Sequence, residues 1–355
     1  MTSFDEIISL LSVKRGLRMY VAVAVATLIV SAIVSRLAAR RRSVIPRVRV
    51  IIIGGSFAGL AVLRELLAAL PDADVTLVEP RDYVEYVPGI LRAFVDSSAA
   101  QRLLVPLASA ARGARHVRAW ADAVLRGAGK DANGVTCAGF VSSRAETAGS
   151  SRSRACASGS TMTMTLLPFD VCVIATGSSY PAPIRGGTNS VTLTARLAEL
   201  DAARLAVAAA LASTTGVRIV GGGPVGVELA AELAAADPRA AAAGAIELFA
   251  TAPRLLVGMH AALGDAALAW LKANCVRVKL SAGRDECGAG GGGGVGSVGG
   301  PLVIKCYGAK GNTAWIDANT SPELAAARDS SGSGRLLTRP TLQLMKGGGG
   351  GESAR

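Results

Sequence analysis

The stretch Arg49-Val50-Ile51-Ile52-Ile53-Gly54-Gly55-Ser56-Phe57-Ala58-Gly59 decides the fold, and a second version follows downstream: Arg218-Ile219-Val220-Gly221-Gly222-Gly223-Pro224-Val225-Gly226. Each begins as a short apolar run, predicted to be a buried parallel strand. Each then breaks at glycines and continues into an alanine- and leucine-rich helical stretch. A strand, a glycine turn and a helix N-terminus in that order leave backbone N–H groups pointing at a pyrophosphate. One such turn implies a dinucleotide. Two in series imply two dinucleotides, with electrons passing between them.

In the first turn Gly54 permits the tight bend and Gly59 lets the helix approach the strand. Ser56 holds the middle position, where glycine is usual, and its hydroxyl narrows the approach. Glu79 stands 25 residues after Gly54, at the end of the strand predicted over Asp74–Val78. A carboxylate there accepts hydrogen bonds from a ribose diol. A turn that merely closed a βα unit would have no need of that acid.

The second turn keeps all three glycines, Gly221, Gly223 and Gly226. Its next strand, predicted over Ala245–Phe249, ends in Ala250 and Thr251, with Arg254 a little further on. An acid at that end would repel a 2′-phosphate. Its absence permits NADPH and does not exclude NADH. Glu228 and Glu232 lie four residues apart on the following helix; a solvated face and, for Glu228, a place near the nicotinamide are both open.

Composition narrows the function classes. The 355 residues suffice for two domains of ordinary size. Half are hydrophobic but only 4% aromatic, so Ala, Val and Leu must supply the packing. Six cysteines are scattered without C-x-x-C or C-x-x-x-x-C spacing, which argues against a redox-active disulfide and fits a reducing compartment. His116 and His260 have no cysteine partners at ligand spacing, so no zinc site is expected. The net charge of +12 invites a nucleic-acid reading, but half of it sits in residues 1–47, which carry eight Lys or Arg against two acids. That charge flanks the uncharged run MYVAVAVATLIVSAIVS, residues 19–35, where it has a topological use. As a helix the run would reach about 25 Å, at the short end of a membrane span. A signal peptide fits less well, because the leading segment holds Asp5 and Glu6 and no A-x-A site follows. The same acids disfavour a transit peptide, while a buried soluble helix stays open. The stronger basic cluster, Arg36 to Arg47, would leave the catalytic part on the cytoplasmic side.

The expected organisation is α/β: two Rossmann-like dinucleotide-binding domains preceded by a transmembrane helix. Residues 1–47 form the basic segment with its anchor, and 48–184 the first nucleotide domain, with 126–165 as a Ser-, Arg-, Gly- and Thr-rich surface insertion. Residues 185–307 form the second, interrupted by a glycine loop over 288–300. Residues 308–355 partly return to the first domain and end in a glycine tail.

Together these residues resemble the two-dinucleotide flavoprotein superfamily. Within it the chain looks most like the apoptosis-inducing-factor-like quinone reductases, with type II NADH dehydrogenases as cousins. The similarity runs from about Val48 to Leu344 and includes VTLVEPRDYVEYVPGILRAF, VCVIATGSSYPAP and IKCYGAKGNTAWI. The resemblance implies FAD contacts at Gly54, Gly55, Ser56, Phe57, Ala58 and Gly59. It also implies FAD contacts at Glu79, at Arg92 of GILRA, at the backbone near Ala121, and at Thr176 and Gly177. It implies NADH or NADPH at Gly221, Gly223, Pro224, Val225 and Gly226, and a quinone-like acceptor at a membrane lipid surface. No protein nucleophile is expected. One departure stands out. Relatives follow a segment like Leu336–Leu344 with a further strand and a Gly-Asp that grips the ribityl chain, whereas here Met345-Lys346 and five glycines follow. The expectation is either an incomplete gene product or a remnant with weakened flavin binding. A non-catalytic NAD(P)-binding sensor or interaction protein remains the alternative.

Overall fold

The computed structural model describes residues 47–125, 134–139, 151–155, 161–186, 190–283, 286, 300–319 and 321–344. The apolar run 19–35, most of the glycine loop and the tail beyond Leu344 lie outside the described residues. Among the described residues no helix is long and apolar enough to cross a membrane.

The chain enters through β1 (Arg49–Ile53), helix α1 (Phe57–Ala69) and β2 (Asp74–Val78). A short antiparallel pair, β3 (Tyr83–Glu85) and β4 (Leu104–Pro106), encloses a 3-10 helix over Val87–Phe94. Then come β5 (Arg115–Val117), β6 (Ala119–Leu125), β7 (Gly134–Gly139), β8 (Ser151–Ala155), β9 (Thr161–Pro168), β10 (Val171–Ile174) and the two-residue β11 (Ser178–Ser179). Helix α2 (Leu193–Leu211) leads into β12 (Val217–Val220), α3 (Pro224–Ala236), β13 (Ile246–Phe249), α4 (Ala261–Ala273) and β14 (Arg277–Lys279). The described chain closes with β15 (Leu302–Lys305) and β16 (Lys310–Gly311), ahead of a last short helix over Pro322–Ala326.

Two four-stranded parallel sheets organise these elements, in the orders β10-β1-β2-β5 and β14-β13-β12-β15. In each, the strand before a glycine turn is central. Such a strand is buried on both faces, which is why β1 reads as an unbroken apolar run. Its side chains divide by parity. Val50 and Ile52 join Leu63 of α1 and Leu77 of β2, while Ile51 and Ile53 join Val78, Val135, Leu167 and Ile316 on the other face. All four are at most 3% exposed, and burial on that scale contributes about 1.5–3 kcal/mol per side chain.

The expected surface insertion, residues 126–165, contains regular strands. Its described parts form β7, β8 and β9, which pair with β6 in an antiparallel sheet ordered β6-β7-β9-β8. Val135 and Leu167 of this sheet are buried in the core. Ser- and Gly-rich composition hid a period-2 signal, most evident in the alternating Thr and Met of residues 161–165. Helix α2 begins at Thr192, whose hydroxyl accepts from the Ala195 N–H at 3.1 Å, an N-cap that satisfies a first-turn donor.

Candidate active site

The two glycine turns repeat one geometry. Gly54 has φ +108° and Gly221 φ +131°, values open to glycine and strained for other residues. A Cβ on Gly54 would collide with the Ala175 carbonyl oxygen, and one on Gly221 would lie 2.6 Å from the Cys306 carbonyl oxygen. Each turn is tied to the neighbouring strand by a matching bond: the Gly54 N–H donates to Val78 O at 2.9 Å and the Gly221 N–H to Phe249 O at 2.8 Å. Gly59 and Gly226 lie against the carbonyl oxygens of Gly54 and Gly221 respectively, so both helices start in close contact with their turns.

Ser56 and Gly223 are the N-cap residues of α1 and α3, both in extended conformation. The Ser56 side chain makes no capping hydrogen bond. Among the described residues nothing lies within 4 Å of where a Gly223 Cβ would stand. Phe57 and Ala58 are exposed at the head of α1, and the Phe57 ring meets Tyr86 edge-on at 5.8 Å. Pro224 and Val225 open α3.

A cavity of about 350 Å³ lies beside the first turn, within the range of small-molecule sites. Gly54, Glu79, Ala121, Thr176, Arg185 and Asn312 are among its lining residues. Glu79 is buried, and both its oxygens are engaged. Oε2 accepts from the Gly55 N–H at 2.8 Å and Oε1 from the Arg81 N–H at 3.1 Å. Each carboxylate oxygen keeps a further lone pair for a hydroxyl. Ala121 stands where the register of β6 shifts against β7, a bulge at the cavity wall. Asn312 ties the floor together: its side-chain amide donates to Thr176 O and its N–H to Gly177 O, both at 2.9 Å. The turn, the buried acid and the bulged strand together form a concave wall.

Arg92 is elsewhere. It sits on the 3-10 helix, whose Ile90, Leu91 and Phe94 are buried in the same cluster as Leu229 and Leu233 of α3. Its guanidinium pairs with Glu232 of that helix at 3.1 Å, and it is not among the cavity-lining residues. Glu228 is exposed, and its carboxyl is pushed above the usual range by partial burial first and the neighbouring Glu232 second. Arg254 turns toward Met259 O at 3.3 Å, and its Nη1 is buried with no hydrogen-bond partner. Cys306, beside the second turn, is 5% exposed, and burial pushes its thiol up to about 12.

Sequence reasoning missed a buried ionic cluster next to the first turn. Arg196 of α2 is wholly buried, and its Nε donates to Glu85 Oε2 at 2.8 Å. Its other nitrogens reach Glu199 Oε2 at 2.9 Å, Pro183 O at 3.0 Å and Ile184 O at 3.2 Å. The Glu85 and Glu199 carboxylates hold its guanidinium above its ordinary pKa against the opposing effect of burial. Arg81 could have been noticed, since it follows Glu79 by two positions; the one local mark on Arg196 is Glu199 three positions on, and nothing local marks Arg185.

Fold and turns define an α/β protein with Rossmann-type nucleotide-binding architecture. Residues 48–322 match the pyridine nucleotide-disulphide oxidoreductase family, and the chain belongs to it. That family binds FAD and NADH or NADPH. No curated protein matches the chain. Among solved structures, reduced CoADR-RHD of Bacillus anthracis is similar with a TM-score of 0.54 at 15% identity, covering 81% of this chain and 47% of that one. NDH2 of Plasmodium falciparum in complex with NADH gives 0.47 at 17%, covering 66% and 48%. The sulfide:quinone oxidoreductase of Aquifex aeolicus gives 0.47 at 18%, covering 66% and 51%. The chain thus spans about half the length of these structures.

Proposed function

We propose that the chain is an FAD-dependent NAD(P)H oxidoreductase, with FAD on the first turn and NADH or NADPH on the second. The observation that carries this is one turn geometry with two strand ends: a buried carboxylate, Glu79, beside Gly55, and a methyl group, Ala250, beside Gly222. Two like cradles with unlike discriminating residues favour two different dinucleotides over two copies of one. In this reading Glu79 orients the adenosine ribose, while the N–H groups at the head of α1, from Ser56 onward, hold the diphosphate; those of Gly54 and Gly55 serve Val78 O and Glu79. The wall at Thr176 and Asn312 bounds the cavity. Bound flavin would accept hydride and supply the one- or two-electron chemistry.

The acceptor is a quinone-like molecule at a membrane, with residues 19–35 as a single-pass anchor and the catalytic part cytoplasmic. Support comes from the uncharged run between basic flanks and from the GILRA resemblance. A protein-thiol relay is disfavoured at the second turn, because buried Cys306 keeps its proton at neutral pH. Purification with bound flavin, followed by NAD(P)H-driven reduction of a water-soluble quinone, tests the reading. A protein that binds NAD(P)H yet never retains flavin or reduces quinone would favour a sensor instead.

A further inference from the structure

A second, smaller cavity of about 20 Å³ adjoins the first turn, lined by residues that include Ser56, Arg81, Glu85 and Arg185. Arg185 faces both cavities. The Arg185 side chain is 18% exposed and makes only one long hydrogen bond, from Nη2 to Ser178 O at 3.4 Å, and one long ionic contact, Nη1 to Glu85 Oε1 at 3.9 Å. That Glu85 oxygen is itself buried without a hydrogen-bond partner. Its companion Oε2 is fixed by Arg196, which also grips the carbonyls of Pro183 and Ile184 just before Arg185. The backbone leading to Arg185 is thus bolted to α2, while the guanidinium at its tip is held loosely. An arginine with five donors, mostly buried and so little engaged, is poised for an acceptor.

We propose that Arg185 is a binding residue for the diphosphate of the dinucleotide seated on the first turn. The proposal rests on the reading of that turn as a dinucleotide site. Glu79, the carboxylate in the larger cavity, already accepts from two backbone N–H groups. Against that one carboxylate, the guanidinium groups of Arg81 and Arg185 leave the lining of the larger cavity with a net positive charge. A planar guanidinium matches two phosphate oxygens at once, which an ammonium cannot do. Glu85 keeps the guanidinium beside the turn in the free protein. On binding, Arg185 exchanges a 3.9 Å ionic contact for short N–H···O bonds.

Calorimetric titration of flavin-free wild-type chain, R185Q and R185K with FAD, riboflavin and inorganic pyrophosphate tests this. R185Q should weaken FAD and pyrophosphate roughly tenfold or more, R185K less, with riboflavin unaffected. Equal FAD affinity in wild type and R185Q overturns the role of Arg185 and leaves the flavin reading standing. Pyrophosphate binding that depends on Arg185, without any FAD binding, overturns the flavin reading and supports the anion site. A parallel loss of riboflavin marks Arg185 as structural and overturns the proposal, and a wild type that binds neither FAD nor pyrophosphate overturns both readings.

Discussion

Arg92 and Glu232 pair at 3.1 Å across the two nucleotide-binding halves, one from the 3-10 helix beyond β3 and the other from the helix that follows the second turn. The pair crowns a shared apolar contact, since Ile90, Leu91 and Phe94 are buried with Leu229 and Leu233. The motif resemblance implies a flavin contact for Arg92, and the two roles make different predictions. With the side chains 60% and 24% exposed, the pair should contribute about 0.2–1 kcal/mol. A double-mutant cycle of R92Q and E232Q in urea unfolding should give a coupling in that range, reduced at high salt. If R92Q instead lowers FAD affinity as strongly in the E232Q background as in wild type, Arg92 serves the cofactor directly.

Arg196 carries a larger share of stability. It is 0% exposed and Glu85 only 7%, and removing one partner of a buried pair strands the other charge at a cost of about 3–5 kcal/mol. R196M should therefore lower the urea midpoint strongly. R196M combined with E85Q should recover part of the loss, because the more deeply buried of the two carboxylates around Arg196 no longer carries a charge. Recovery absent from the double variant would mean that the carbonyl contacts to Pro183 and Ile184, rather than the charges, supply the stability.

Two buried acids set the alkaline limit. Burial pushes the Cys306 thiol up to about 12, and it pushes the Tyr83 phenol up to about 12 with Arg81 opposing. In the unfolded chain these groups ionise near about 8.5 and 10. Above those values the unfolded state releases protons that the folded state retains, so stability falls as pH rises. The urea midpoint should hold up to about pH 8 as far as these groups are concerned, then decline toward pH 12 as they drive it down. C306A should flatten the first part of that decline and Y83F the later part. Identical slopes in wild type and C306A would show that Cys306 ionises freely in the fold.

The strand–turn–helix units were legible because each is local: an unbroken apolar run means burial on both faces, and glycine at the bend is required by positive φ at Gly54 and Gly221. Glu79 was legible by spacing along the same unit. The sheet containing β7, β8 and β9 was obscured because Ser, Gly and Thr composition suggests loop when the alternation is ignored. The pairings of Arg185 with Glu85, Arg196 with Glu85 and Arg92 with Glu232 could not be read from spacing. The partners lie 100, 111 and 140 positions apart, respectively, so only the folded chain brings them together.

The strand end after the second turn should decide between NADH and NADPH, and Ala250 is the residue to change. Its backbone station matches that of Glu79: the Glu79 N–H donates to Val117 O at 3.1 Å, and the Ala250 N–H to Lys279 O at 2.9 Å. Both side chains face the second glycine of their turn. A Cβ on Gly55 would lie 3.1 Å from the Glu79 Cβ, and one on Gly222 would lie 2.6 Å from the Ala250 Cβ. A250D should therefore place a carboxylate where Glu79 places one, within reach of a ribose diol and of any 2′-phosphate. Like charges at a partly desolvated site commonly cost ~1–3 kcal/mol, or about 5- to 150-fold in affinity. NADPH affinity should fall by that factor relative to NADH, measured by titration on the same preparation. The shift should shrink for adenosine fragments lacking the 2′-phosphate. Ala250 is only 2% exposed, so A250S serves as a control for steric cost; it should leave the NADPH-to-NADH ratio unchanged. A ratio that moves equally in A250S and A250D would assign the effect to crowding against Gly222, and an unchanged ratio in A250D would mean that the ribose does not sit at this strand end.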